Sequence, residues 1–268
     1  MPPTRRDFLI VGSAAATAGL VSPVLGVAPA PLSDAYPSHP PDLAREMVGV
    51  SHGNLARVKE MLAERPSLAK AAWDWGFGDW ETALGAASHV GNREIAEVLI
   101  AHGARPDLFT AAMLGWLDVV KALVTANPGI QRLKGPHSIP LLAHAEAGDE
   151  KAAAVAAYLK ILGDAGEMPT DRPLAPEEIE ALVGTYGFGS GPRDAFEVAR
   201  RKSKGMPGQL TVQRLEGSPR NLFHLGERVF QPAGAEAVRL RFSGESPAKT
   251  MGVLEPGAGT TAARRTVP

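Results

Sequence analysis

Cysteine is absent from the 268 residues, which excludes disulfides, thiolate metal sites and cysteine nucleophiles. It leaves the compartment open, because exported proteins also do without cysteine. Charge of one sign is missing too: the formal net charge is −1, so no field draws the chain to nucleic acid or to an anionic membrane surface. No uninterrupted apolar run is long enough for a stable transmembrane helix. No Gly-x-Gly-x-x-Gly follows a strand, and neither a Walker loop nor His-Glu-x-x-His occurs, so no cofactor and no metal is expected. Aromatics are scarce at 6%, which makes their placement informative.

What is present begins with a phrase repeated four times between Asp42 and Leu162: a small apolar run, a glycine, a polar or acidic pair, then apolar residues at helical spacing. The pivot glycines are Gly53, Gly91, Gly115 and Gly148, recurring at an average close to a period of roughly 33 residues. Each copy reads as two antiparallel helices joined through a glycine, because a turn with positive φ or a close helix contact tolerates no Cβ. Stripes such as Val58, Met61, Leu62 and Ile95, Val98, Leu99 need neighbouring pairs to cover them.

Residues 42–162 resemble ankyrin repeats. The best copy runs from Thr82 through Ala86-Ala87 and Gly91 to Gly103-Ala104, although Ala83 and Gly85 stand where the family has Pro and His. The resemblance implies an α-solenoid that offers a binding surface along its fingers and concave face.

Three of the four tryptophans fall in the finger after the first repeat, where Trp73, Trp75, Phe77 and Trp80 alternate with Asp74, Asp79 and Glu81. Gly76 and Gly78 interrupt both helix and strand there. Two readings stand: a protruding contact surface, in which aromatics supply most of the interface energy and carboxylates give direction, or a loop folded back to cap an irregular repeat junction. Trp73, Trp75, Phe77, Asp79, Trp80 and Glu81, with Trp116 as an extension, are the candidate partner-binding residues. Seven histidines are present; His52 and His89 occupy nearly the same inter-helix turn, but no pair has helical metal-ligand spacing, and structural hydrogen bonding is their expected use. No catalytic residue is assigned.

At the N-terminus Thr4-Arg5-Arg6-Asp7-Phe8-Leu9 precedes a weakly apolar run from Val11 to Leu25. It resembles a twin-arginine export signal with Arg5 and Arg6 as the pair, which implies export of the folded protein to a bacterial periplasm. Whether the segment is cleaved or retained as an anchor stays open.

Beyond a linker at 163–173, a short helix (174–182) leads into strand-like runs at 183–188, 195–200, 209–214, 222–225, 229–231, 238–242 and 250–254. Their alternation and spacing predict an antiparallel sheet or small barrel over 174–268. The order opening on Gly184-Thr185-Tyr186 is similar to the lipocalin-like accessory domain of beta-lactamase-related serine hydrolases, without their Ser-x-x-Lys motif. The expected fold class is α+β: signal and lead-in 1–41, ankyrin solenoid 42–162, linker, then β-domain. The leading functional expectation is a monomeric, non-enzymatic interaction protein of the bacterial envelope that binds a protein or peptide. The alternative is a protein that binds a small molecule or cell-wall fragment, catalytic or not, with its site in the β-domain or at the domain interface.

Overall fold

The computed structural model describes residues 34, 36–191, 193–201, 209–214 and 217–265; Arg5 and Arg6 lie outside the described residues. Eight helices form four pairs: α1 (Pro41–Val50) with α2 (Leu55–Glu64), α3 (Ala83–His89) with α4 (Arg93–Ala101), α5 (Leu108–Leu114) with α6 (Leu117–Ala126), and α7 (Leu141–Ala147) with α8 (Ala153–Leu162). Their starts are written locally. Asn54, Thr82, Asn92 and Asp107 each accept a hydrogen bond from the backbone N–H three residues on, which satisfies one of the free donors of the first turn. Between the first two pairs, β1 (Ala72–Asp74) and β2 (Trp80–Thr82) form an antiparallel hairpin with Trp73 opposite Glu81.

The expected ankyrin solenoid is not what the helices form. In a solenoid each repeat touches only its neighbours. Here α3 packs against α5 and also reaches α7, so the second and fourth pairs meet. Gly91 marks that junction: its φ is 73°, and a Cβ there would lie 2.1 Å from the carbonyl oxygen of Ala147. The two-stranded finger occurs once among the described residues; the approach to α7 is made instead by 3-10 turns at Ile130–Arg132 and Pro136–Ser138. The α+β solenoid architecture is therefore replaced by a non-linear helical layer joined to a closed β-barrel.

The barrel holds eight antiparallel strands: β3 (Gly184–Gly187), β4 (Ala195–Arg200), β5 (Leu210–Arg214), β6 (Arg220–Gly226), β7 (Val229–Pro232), β8 (Arg239–Ser243), β9 (Thr250–Glu255) and β10 (Ala258–Arg264). Closure comes from β10, which pairs with β9 along its length and with β3 through Ala263 and Arg264. The Arg264 guanidinium fixes the seam by donating to the carbonyls of Ala181, Val183 and Ala248. Helix α9 (Pro176–Leu182) inserts Ile179 and Leu182 into a core with Tyr186, Phe230, Phe242 and Met251. The barrel agrees with the lipocalin-like expectation for this half. No helix among the described residues is long and apolar enough to cross a membrane.

The finger joins the two halves. Phe77, at its tip, packs on the barrel core, while Trp73 and Trp75 pack on the helical core. From β6, Arg220 donates to the Asp79 carboxylate at 2.9 Å and to the carbonyls of Gly76 and Ala233. Ser138 accepts from the Gly234 N–H and donates to Glu236.

Candidate metal centre

The contacts that bend the helical layer also assemble a cluster. His52 follows α1, His89 ends α3, and His137 lies in the turn before α7; since α1 packs on α3 and α3 on α7, all three imidazoles converge. Glu81 reaches them from β2. One ligand atom from each of these four residues lies within 4.8 Å of each of the others.

Glu81 is the centre of the group. Its side chain is fully buried, and its Oε1 stands 3.0 Å from His89 Nδ1 and 3.6 Å from His137 Nε2, while Oε2 stands 3.7 Å from His52 Nε2. Trp75 Nε1 donates to Oε2 at 2.8 Å and fixes the plane of the carboxylate. Among the described residues no lysine or arginine pairs with Glu81, so its buried charge is balanced only by imidazoles or by a cation held among them.

The outer nitrogens decide which lone pairs face inward. His137 Nδ1 lies 2.8 Å from Asp79 Oδ2, and His52 Nδ1 lies 3.0 Å from the Gly49 carbonyl oxygen. A carbonyl or a carboxylate only accepts, so both Nδ1 atoms carry a hydrogen and the Nε2 atoms are the ones that can ligate, an entering ion displacing any proton held there. Asp79–His137 is the carboxylate–histidine arrangement that orients metal-bound imidazole and raises its basicity. His89 offers Nδ1 instead. It approaches Glu81 Oε1 at 3.0 Å with both atoms buried, a contact that falls short of hydrogen-bonding geometry. Donor atoms on a tetrahedral zinc ion stand roughly 3.3 Å apart, given Zn–N and Zn–O bonds of about 2.0 to 2.1 Å; the Glu81–histidine separations of 3.0 to 3.7 Å bracket that value, and the four ligand atoms as a set lie within 4.8 Å of one another, so ion binding would draw them together.

Holding His137 in place costs backbone strain. His137 and Ser138 have φ of 60° and 61°, two successive non-glycine residues in the left-handed region, each of which costs on the order of 1–3 kcal/mol. The surroundings over-determine the turn: Asp79 accepts from both the backbone N–H and Nδ1 of His137, and Ser138 is gripped by Gly234 and Glu236. Gly234 is required there, because with φ of 73° a Cβ would lie 2.3 Å from the Asp79 carboxyl carbon.

Electrostatics follow from this geometry. Burial alone would raise the Glu81 pKa, but His137 and then His89 outweigh it and hold the carboxyl down at about 2. Burial would lower His137, yet its bonds to Asp79 and Glu81 raise it to about 9. A cation-free centre thus stores a proton between two carboxylates, and a divalent ion would take over that role. Nearby His144 is held down at about 4 by burial.

The cluster opens on a cleft of about 640 Å³ between the helical layer and the barrel, with His52, Trp75, His89 and His137 on one side and Ser218, Arg220 and Asn221 on the other. His52 and His137 are about one third exposed, at 33% and 31% of their side chains, so the ligand set faces the cleft.

Of the residues singled out in the sequence, Asp79 and Glu81 are buried in this centre, at 3% and 1% exposure. Trp75 bonds to it, and Trp73 and Phe77 are half-buried against the two cores. Trp80 is 64% exposed and Trp116, at the start of α6, is 39% exposed; neither lines the cleft. Sequence reasoning paired none of the three histidines with Glu81. Its one available signal was the shared turn position of His52 and His89. Comparison with known proteins finds no matching family model and no matching curated protein.

Proposed function

We propose that this chain is a metalloprotein that holds one divalent transition-metal ion of the zinc class through His52, His89, His137 and Glu81 and acts on a small molecule in the adjoining cleft. The observation that carries this reading is the pair His52 and His137, each with Nδ1 held by an acceptor, aimed with His89 at a buried carboxylate that no lysine or arginine among the described residues neutralises. Three imidazoles and one carboxylate, without thiolate, suit zinc and its neighbours better than magnesium or calcium. A structural zinc site is closed, whereas this one faces a cleft, as a catalytic site must. Four protein ligands fill a tetrahedron, so an ion so placed would supply Lewis-acid activation of a bound water or oxygen-bearing group only through a fifth position on the cleft side. Of the two expectations drawn from the sequence, the proposal takes up the small-molecule protein with its site at the domain interface. The Arg5-Arg6 segment supports an exported setting for it.

Chelator-treated protein titrated with zinc by calorimetry tests the reading. One ion per chain is expected, with magnesium unable to compete. Glu81→Gln and His137→Ala should each weaken zinc by at least a hundredfold while circular dichroism confirms that the fold is kept. Zinc binding no tighter in the parent than in these variants would overturn the proposal.

A further inference from the structure

A second cleft, of about 530 Å³, lies where the finger meets the barrel. On the barrel side Phe196 of β4 stands directly opposite Arg214 of β5, and the next inward pair is Val198 with Val212. Side chains alternate across a strand, so Phe196 and Arg214 share the face of the buried valines and sit at the end of the inward-facing row. On the other side the finger presents Trp73, Trp75 and Phe77, with Arg45 of α1 beside them. Four aromatic faces thus line one cavity in a chain that is only 6% aromatic.

The charge there is one-sided. Arg45, Arg214 and Arg220 line the cleft against a single carboxylate, Asp74, which is occupied in accepting from the Gly76 N–H. Arg220 is neutralised by Asp79. Arg214 lies over the Phe188 ring at 5.3 Å and forms no ion pair with any described carboxylate. Guanidinium beside aromatic faces recognises a planar anion twice over, by a forked hydrogen bond to the charged group and by stacking on the ring. Mouths of small barrels are common ligand sites because the interior alternation ends there in side chains that have no strand neighbour above them.

We infer that this barrel mouth, closed over by the finger, is a binding site for a small aromatic carboxylate, with Arg214 and Arg45 holding the carboxylate and Trp73, Trp75, Phe77 and Phe196 the ring. It goes beyond the metal reading and, Trp75 apart, stands on different residues. The two clefts do share a wall, formed by Trp75, Ser218 and Arg220, so a ligand in one lies next to the other.

The test is calorimetric titration of the full chain with 2-naphthoate, 2-naphthol and inorganic phosphate, each on chelator-treated and on zinc-loaded protein. Naphthoate should bind at one per chain, at least tenfold tighter than the neutral naphthol or the ringless phosphate. Arg214→Gln should weaken naphthoate tenfold or more and leave naphthol unchanged, and Phe77→Ala should weaken both. Equal affinity for naphthoate and naphthol, insensitivity of naphthoate to Arg214→Gln, or no naphthoate binding at millimolar concentration would each overturn the inference. Binding by chelator-treated protein supports this site whatever the zinc titration shows; zinc uptake without naphthoate binding leaves the metal reading standing alone. Naphthoate binding only in zinc-loaded protein, and lost in Glu81→Gln, would place the anion on the metal and refute the barrel-mouth site.

Discussion

Replacing Asp79 by asparagine keeps size and shape while removing the charge that holds three things together. Its carboxylate accepts from the His137 backbone N–H at 2.9 Å, from His137 Nδ1 at 2.8 Å and from Arg220 at 2.9 Å. Asparagine has one acceptor oxygen and an amide that only donates, so it satisfies at most part of this set and places N–H against N–H for the rest. Two costs follow. For the metal, losing the group that orients a ligating imidazole weakens binding by about 10- to 100-fold, equivalent to about 1.4 to 2.7 kcal/mol. For the fold, Arg220 is left with 11% of its side chain exposed and no carboxylate. Breaking a buried pair from one side costs about 3–5 kcal/mol, and the retained bonds to Gly76 and Ala233 favour the lower end, about 3 kcal/mol. Urea unfolding of metal-free Asp79→Asn, read beside its zinc titration, separates the two. Unchanged zinc affinity would refute the orienting role of Asp79, and unchanged stability would refute the Arg220 strut.

Gly234→Ala should reproduce the metal defect from a distance, since its Cβ would displace the Asp79 carboxylate; a stability loss of about 2 kcal/mol is expected in thermal unfolding. Trp75→Phe removes the donor to Glu81 Oε2 and should cost about 1–3 kcal/mol, whereas Trp80→Ala at an exposed position should stay within about 0.5 kcal/mol in the same urea assay. His144 has its folded pKa lowered by burial to about 4 from 6.5, so the unfolded chain takes up the proton first as pH falls. Its contribution to stability is therefore complete above pH 6.5 and lost progressively towards pH 4. The parent should lose about 3 kcal/mol more than His144→Gln over that window.

Much of the architecture was legible where local chemistry writes it. The helix pairs announced themselves through the pivot glycines and the apolar stripes that follow them, such as Val58, Met61 and Leu62, and the barrel strands through alternation such as Leu210, Val212 and Val238, Leu240, Phe242. Strand β10 was not legible, because Ala258 to Arg264 is small and mostly exposed and carries no apolar alternation. A helical repeat pattern also does not reveal whether the pairs stack in a line. The contact of α3 with α7 depends on three-dimensional closure, and so does the metal centre, whose ligands come from two inter-helix turns, the end of α3 and a hairpin. Asp79 and Glu81 stood out in the sequence as carboxylates amid aromatics. Their burial against histidines distant in the chain was a tertiary fact, and local spacing holds no trace of it.

The central claim is that one ion sits among His52, His89, His137 and Glu81. Anomalous diffraction at the zinc edge from zinc-loaded crystals tests it most directly. The account predicts a single strong peak at the cleft floor, about 2.0 to 2.1 Å from His52 Nε2, His89 Nδ1, His137 Nε2 and a Glu81 oxygen. A cluster without a peak, its Glu81 and His137 joined by a hydrogen bond while zinc lies elsewhere on the surface, would contradict it.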